Sequence, residues 1–156
     1  MQIFCILLSK IFEPIYVIIF VILLSLFLLV KSKNKQAILL STTALIAGAS
    51  IYLLKHLFSK ARPLNQIIQE TGFSFPSGHA MISITLFGTL IYIALNIKSQ
   101  TSRIVSIVAC VLGVLLVGLS RVYLNVHWFS DIIGSYCFGL FILFIVLFGE
   151  KIWKQL

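Results

Sequence analysis

Ser120-Arg121-Val122-Tyr123-Leu124-Asn125-Val126-His127-Trp128-Phe129-Ser130-Asp131 lies between two apolar runs, Ile104–Leu119 and Ile132–Phe148. Each run is close to the roughly 17 to 25 residues that a bilayer-crossing helix requires, so the polar stretch between them reads as a connection at one membrane face. Working outward, Pro14–Val30, Ala37–Leu54 and Ala80–Ile97 are three further runs rich in Ile, Leu, Val and Phe. Hydrophobic residues make up 60% of the 156 positions and charged residues 10%, far from the balance of a soluble domain. A soluble protein would have to be much larger to bury helices this apolar. The expectation is an all-α integral membrane helical bundle of about five transmembrane helices, near 14–30, 37–54, 80–97, 104–119 and 132–148. It forms one membrane-embedded domain over residues 1–156.

Residues 1–13 fit that pattern less simply. The apolar run Ile3–Leu8 is too short to cross and is followed by Ser9, Lys10 and Glu13-Pro14, so this N-terminal segment is expected to be interfacial, lying along the membrane surface. It does not read as a cleaved leader, because no positive charge precedes the run and no small-residue cleavage site follows it. Cys5, Cys110 and Cys137 sit in apolar stretches without metal-ligand spacing and read as small packing residues.

Basic residues indicate an orientation once Lys55, Arg62 and Arg121, which are suspected of chemistry, are set aside. Lys31, Lys33, Lys35, Lys98, Arg103, Lys151 and Lys154 then share one face of a five-span bundle, against Lys10 and Lys60 on the other. An excess of Lys and Arg in short loops marks the cytoplasmic side. The C-terminus is therefore expected in the cytoplasm, with every polar cluster on the outer face of a cytoplasmic membrane. The net charge of +8 is mostly a topology signal, with some attraction to anionic headgroups. Nucleic acid is not an expected partner, since no basic stripe is interleaved with exposed aromatics.

Three polar clusters fall on that same face. Lys55 and Arg62-Pro63 offer a mobile point charge and a planar fork suited to a phosphoryl group, although a basic pair at a helix end is also an ordinary snorkelling anchor. In Pro76-Ser77-Gly78-His79 the chain turns into a span. Ser77 is a natural helix cap there, and the free N–H groups would face an anion. His127 and Asp131, four apart, share a helical face, so the carboxylate can hold one ring nitrogen and leave the other aimed at an electrophile. The plainer alternative is that Asp131 caps the last helix and His127 bonds locally. Arg121 favours the chemical reading, because an arginine ending an apolar helix is costly near lipid unless an anion meets it.

Lys-x6-Arg-Pro, Pro-Ser-Gly-His and Ser-Arg-x5-His-x3-Asp together resemble the three-part signature of the type 2 phosphatidic acid phosphatase superfamily, membrane lipid phosphatases that share their site with vanadium haloperoxidases. With its supporting helices the resemblance covers roughly residues 37 to 150. It implies that Lys55, Arg62, Ser77, Gly78 and Arg121 hold the phosphate, with Gly78 acting through its backbone. It further implies that His127 attacks phosphorus, His79 protonates the departing oxygen and Asp131 orients His127. No metal or other cofactor is implied, and the acidic residues Glu13, Glu70, Asp131 and Glu150 are scattered along the chain. The roles ask that His127 be neutral and His79 protonated. Asp131 is expected to raise the proton affinity of His127, and the pH profile to be bell-shaped.

Relatives with this signature commonly have six spans, so the five expected here leave the substrate entrance open, along with the question of a second protomer on the exposed flank. Leu64, Ile67 and Ile68 are spaced like one face of a short interfacial helix, a candidate lid whose alternative is a plain surface turn. Phe73, Phe75, Tyr123 and Trp128 are expected to anchor at the headgroups, and His56 to contact them. Gly113, Gly118, Gly134 and Gly139 are expected to admit close helix approach. The function implied is removal of the terminal phosphate of a membrane lipid, with a polyprenyl diphosphate such as the undecaprenyl carrier favoured. Alternatives are phosphatidylglycerophosphate, phosphatidic acid or diacylglycerol diphosphate as substrate, transfer to a lipid acceptor, or a non-catalytic lipid-phosphate-binding protein.

Overall fold

A computed structural model describes residues 1–153 and contains six helices: α1 (Gln2–Ile11), α2 (Pro14–Val30), α3 (Asn34–Phe58), α4 (Gly78–Ala94), α5 (Gln100–Tyr123) and α6 (Phe129–Trp153). Lys154 and the side chain of Lys151, two of the basic residues used to expect a cytoplasmic C-terminus, lie outside the described residues. Among the described residues the structure is all-helical. The helices form where the apolar runs are, and local chemistry sets their ends. Pro14 starts α2 at a position where its missing N–H costs nothing. Ser59, in the left-handed region at φ 43°, ends α3. Ser77 and Ser99 cap α4 and α5 by accepting from Ala80 N and Ser102 N.

α3, α5 and α6 are each long and apolar enough to cross a membrane alone, whereas α1 and α2 reach that length only as a pair bent by 52°. α4 is an apolar helix of 17 residues, about 26 Å long against a hydrocarbon core of about 30 Å. It is the central helix, packed against α3, α5 and α6, while α2 lies on α3 and α1 on α5. Because α4 faces protein, its buried Ser83, Thr85 and Thr89 donate to carbonyls of their own helix, at Ala80 (2.8 Å), Met81 (2.9 Å) and Thr85 (2.8 Å). The outer surface is the reverse of a soluble protein's, with Leu45, Leu119 and Phe144 exposed.

Two glycines set how closely α6 approaches its neighbours. A Cβ on Gly118 would lie 2.0 Å from the Tyr136 hydroxyl oxygen, which donates to Val114 O at 2.6 Å, and a Cβ on Gly134 would lie 2.5 Å from the ring of Phe75. Phe75 is thus a packing residue, stacked edge-on with Phe58 and Phe138, and not the headgroup anchor expected from its position. The short helix expected of the lid candidate is absent: residues 64–70 form bends without a helix. The helix fails because Asn65 is left-handed at φ 59° and the backbone is tied to the α5–α6 connection. Ile67 N donates to Leu124 O at 3.0 Å, and Asn125 Nδ2 donates to Leu64 O at 2.7 Å.

Candidate active site

The end of α3, the loop 59–77, the start of α4 and the α5–α6 connection meet at one end of the bundle. There Lys55, Arg62, Gly78, His79 and His127 line a single cavity of about 820 Å³. Ser77, Arg121 and Asp131, the other residues singled out in the sequence, stand behind that wall and are fully buried.

Asp131 opens α6, four residues after His127, so the helix carries the carboxylate under the imidazole. The two do not touch directly: His127 Nδ1 and Asp131 Oδ2 are 3.8 Å apart, beyond hydrogen-bond range. Ser74 lies between them, its hydroxyl donating to Asp131 Oδ2 and lying 3.5 Å from His127 Nδ1. Trp128 N donates to the same Oδ2 at 3.0 Å, and Lys60 Nζ donates to Oδ1 at 2.6 Å. On the opposite edge of the ring, Arg62 Nη1 lies 3.3 Å from His127 Nε2. Guanidinium only donates, so the geometry fits a lone pair on Nε2 and the proton on Nδ1. The proton affinity of His127 is lowered below the ordinary imidazole value of 6.5. Burial is the main cause; the nearby Asp131 carboxylate works against it, and Arg62, Arg121 and Lys55 add to it. Asp131 does pull in the expected direction, raising this affinity, but desolvation outweighs it.

The cations rest on backbone carbonyls, a hydroxyl and a carboxylate. Lys55 Nζ donates to Phe73 O. The Arg62 fork donates to Gly72 O (3.1 Å), Thr71 O (3.1 Å) and Val126 O (2.9 Å). Arg121, fully buried, donates to Ser9 Oγ and, at 2.5 Å, to Glu70 Oε1; its Nε has no partner among the described residues. Glu70 Oε2 lies 3.7 Å from Arg62 Nη2, so one carboxylate spans two of the three cations. Among the described residues no three His, Cys, Asp or Glu side chains gather as a metal-binding group.

His79, in the first turn of α4, is buried, with Nε2 3.2 Å from Ser9 O. Ser77 has both polar groups engaged: its N donates to Ser135 Oγ at 2.8 Å and its Oγ accepts from Ala80 N. The hydroxyl therefore shapes the helix start, the capping role weighed for it in the sequence. Ser9, Lys60, Glu70 and Ser74 were not found by sequence reasoning. Glu70 left a usable signal, being one of four acidic residues in the chain and sitting among cations. Ser9, Lys60 and Ser74 left none, since only the packing brings them in.

A profile described as the PAP2 superfamily matches residues 36–151. Phosphatidylglycerophosphatase B of Bacillus subtilis is 39% identical over 105 residues, covering 64% of this chain and 51% of that protein. An undecaprenyl-diphosphatase of Sulfolobus acidocaldarius is 32% identical over 128 residues, covering 78% of this chain and 58% of that one. The chain thus spans about half the length of these relatives. Its fold resembles the crystal structure of a transmembrane PAP2 type phosphatidylglycerolphosphate phosphatase from Bacillus subtilis, with a TM-score of 0.87 and 23% identity over 97% of this chain and 77% of that one. With most of its length matched by the family profile, and with the family's motif residues gathered at one end of a helical bundle, the chain belongs to the PAP2 superfamily.

Proposed function

We propose that the protein is a lipid phosphatase at the outer face of a cytoplasmic membrane, removing the terminal phosphate of a lipid phosphate or diphosphate through a phosphohistidine on His127. The observation that carries this reading is the cavity. Lys55, Arg62, His79 and His127 line its polar end, while Val21, Leu40, Ala44, Gly48, Leu86 and Thr89 line the remainder between α2, α3 and α4. From His79 to Thr89 is about 15 Å along α4, half of a hydrocarbon core about 30 Å thick. A phosphate on a hydrocarbon tail from one leaflet matches both ends.

In this reading the Nε2 lone pair of His127 attacks phosphorus, the bond to the leaving oxygen breaks, and His79 gives that oxygen a proton. Water then attacks phosphorus while giving a proton back to His79, the P–N bond breaks, and inorganic phosphate leaves. Lys55, Arg62 and Arg121 balance the charge on the transferring group, as electrostatic stabilisation of phosphoryl transfer requires. A polyprenyl diphosphate is the favoured substrate, because the compact polar end leaves little space for reading a large headgroup. Phosphatidylglycerophosphate is the second reading, supported by the name of the 39% identical relative. Purified protein is assayed for phosphate release from both, and from phosphatidic acid and diacylglycerol diphosphate, with and without chelator. The expected result is release that resists chelation and disappears in His127→Ala. No release from any of the four, or equal release by that variant, rejects the reading.

A further inference from the structure

Resting on that reading, we infer that Ser74 is a positioning residue for the nucleophile: Asp131 holds His127 through the Ser74 hydroxyl, and Lys60 on the far oxygen sets how strongly the carboxylate pulls. The direct His127–Asp131 separation of 3.8 Å is too long for a hydrogen bond, whereas Ser74 Oγ is in contact with both partners. The proton directions agree from one end to the other. Asp131 only accepts, so the Ser74 hydroxyl gives its proton to Oδ2 and leaves its lone pairs for His127 Nδ1–H. That fixes the proton on Nδ1 and frees Nε2 toward the cavity, where Arg62 Nη1 already donates to it.

The relay is built into rigid surroundings. Ser74 and Asp131 have no exposed surface. Ser74 N donates to Lys60 O at 2.7 Å, so the two residues that grip opposite oxygens of Asp131 are also joined through the backbone. Lys60 Nζ reaches Oδ1 at 2.6 Å and Ser130 Oγ at 3.0 Å. With the Trp128 N–H on Oδ2, the carboxylate has donors on both oxygens. An orienting partner one bond removed from the reacting group typically matters by tenfold to a hundredfold when lost. The other charged or titratable groups about His127 are Lys55 from α3, His79 from α4, Arg121 from α5, and Arg62 and Glu70 from the loop. None of these contacts Ser74 through a hydrogen bond among the described residues.

The test uses the full chain labelled with 15N-histidine, in detergent micelles. Only His56, His79 and His127 contribute signals, and His127→Asn assigns the third. The wild-type protein is expected to hold His127 as the Nδ1–H tautomer. Ser74→Ala is expected to mix the tautomers and lower kcat about tenfold to a hundredfold with KM moving less than about threefold. Ser74→Thr, which keeps the hydroxyl, restores both. Lys60→Met leaves Asp131 less compensated, so the acid limb of kcat/KM is expected to move to higher pH, by under about one unit because that lysine is half-exposed. An unchanged tautomer and kcat in Ser74→Ala overturn the relay, and an unmoved acid limb overturns the part given to Lys60. Should Ser74→Ala not fold, an Nε2–H tautomer in the wild-type protein is the overturning result. The tautomer is read without turnover. A shifted tautomer in a protein that releases no lipid phosphate therefore rejects the phosphatase reading alone, and turnover with an inert Ser74→Ala rejects the relay alone.

Discussion

The two edges of the His127 ring face opposite kinds of surroundings. Around Nδ1, Ser74, Trp128 N and Lys60 satisfy Asp131 completely. Around Nε2, Arg62 and Lys55 rest on backbone carbonyls, and Arg121 rests on Ser9 and Glu70. One edge is a hydrogen-bonded network in which Ser74 and Asp131 are fully buried and Lys60 is half-exposed, and it holds its geometry because loosening it leaves a buried group unpaired. The other is a set of cations resting on carbonyls, a hydroxyl and the partly exposed Glu70 carboxylate, partners that phosphate displaces in the proposed reaction. Fixed orientation on one side and exchangeable charge on the other is what the proposed attack by imidazole needs.

Substitutions on each edge sharpen or break this contrast. Removing the ring in His127→Ala abolishes both halves and is expected to lower phosphate release by at least about 10⁴-fold; residual turnover near the wild-type level would mean the nucleophile lies elsewhere. Asp131→Asn acts only on the fixed edge. The loss is expected on the order of 10³-fold and almost wholly in kcat, and steady-state kinetics showing a KM effect of equal size would contradict the division. Glu70→Gln acts only on the exchangeable edge, lifting a tethered anion off two arginines. KM and the inhibition constant of inorganic phosphate are both expected to fall about tenfold, read as competition in a folded, monodisperse sample. Unchanged values would mean that Glu70 does not compete with phosphate.

Smaller effects concern the tail and the proton. A Cβ added to Gly48 would meet no atom within 4 Å, and this glycine lines the apolar part of the cavity. Gly48→Leu is therefore expected to raise KM about threefold to tenfold for long-tailed substrates, leaving a short soluble phosphomonoester unaffected. The pH effect follows from His127, which attacks only when neutral. Its proton affinity is lowered below 6.5 by burial, so activity falls with decreasing pH only once that lowered value is approached. The acid limb of kcat/KM is expected below pH 6.5, and a limb above it would show that the pull of Asp131 prevails after all.

Much of the fold was legible because lipid imposes a simple rule: Pro14–Val30 is both an apolar run and α2, residue for residue. α5 extends past the run 104–119 at both ends because Ser99 caps it and the polar end residues continue the helix. The co-lining of Lys55, Arg62, His79 and His127 was legible from motif spacing and the shared face. Glu70, Ser74 and Ser9 were not, because their partners lie 51, 57 and 112 residues away in sequence, and such contacts are decided by packing. The turn at 64–70 departs from the candidate lid helix for a related reason. Its apolar spacing suits a helix, but Asn65 and the bonds to Leu124 and Asn125 fix another path.

The seat of α1 against α5 has a consequence for biosynthesis. Ser9 meets Arg121, 112 residues later in the chain. A ribosome adding about 5 to 20 residues per second needs roughly 5 to 20 s to make that intervening length. For that interval α1 has at most α4, through the contact of Ser9 with His79, and lacks α5, the helix it is seated against. Nascent protein should therefore reach its full protease resistance near residue 9 only after α5 has been inserted.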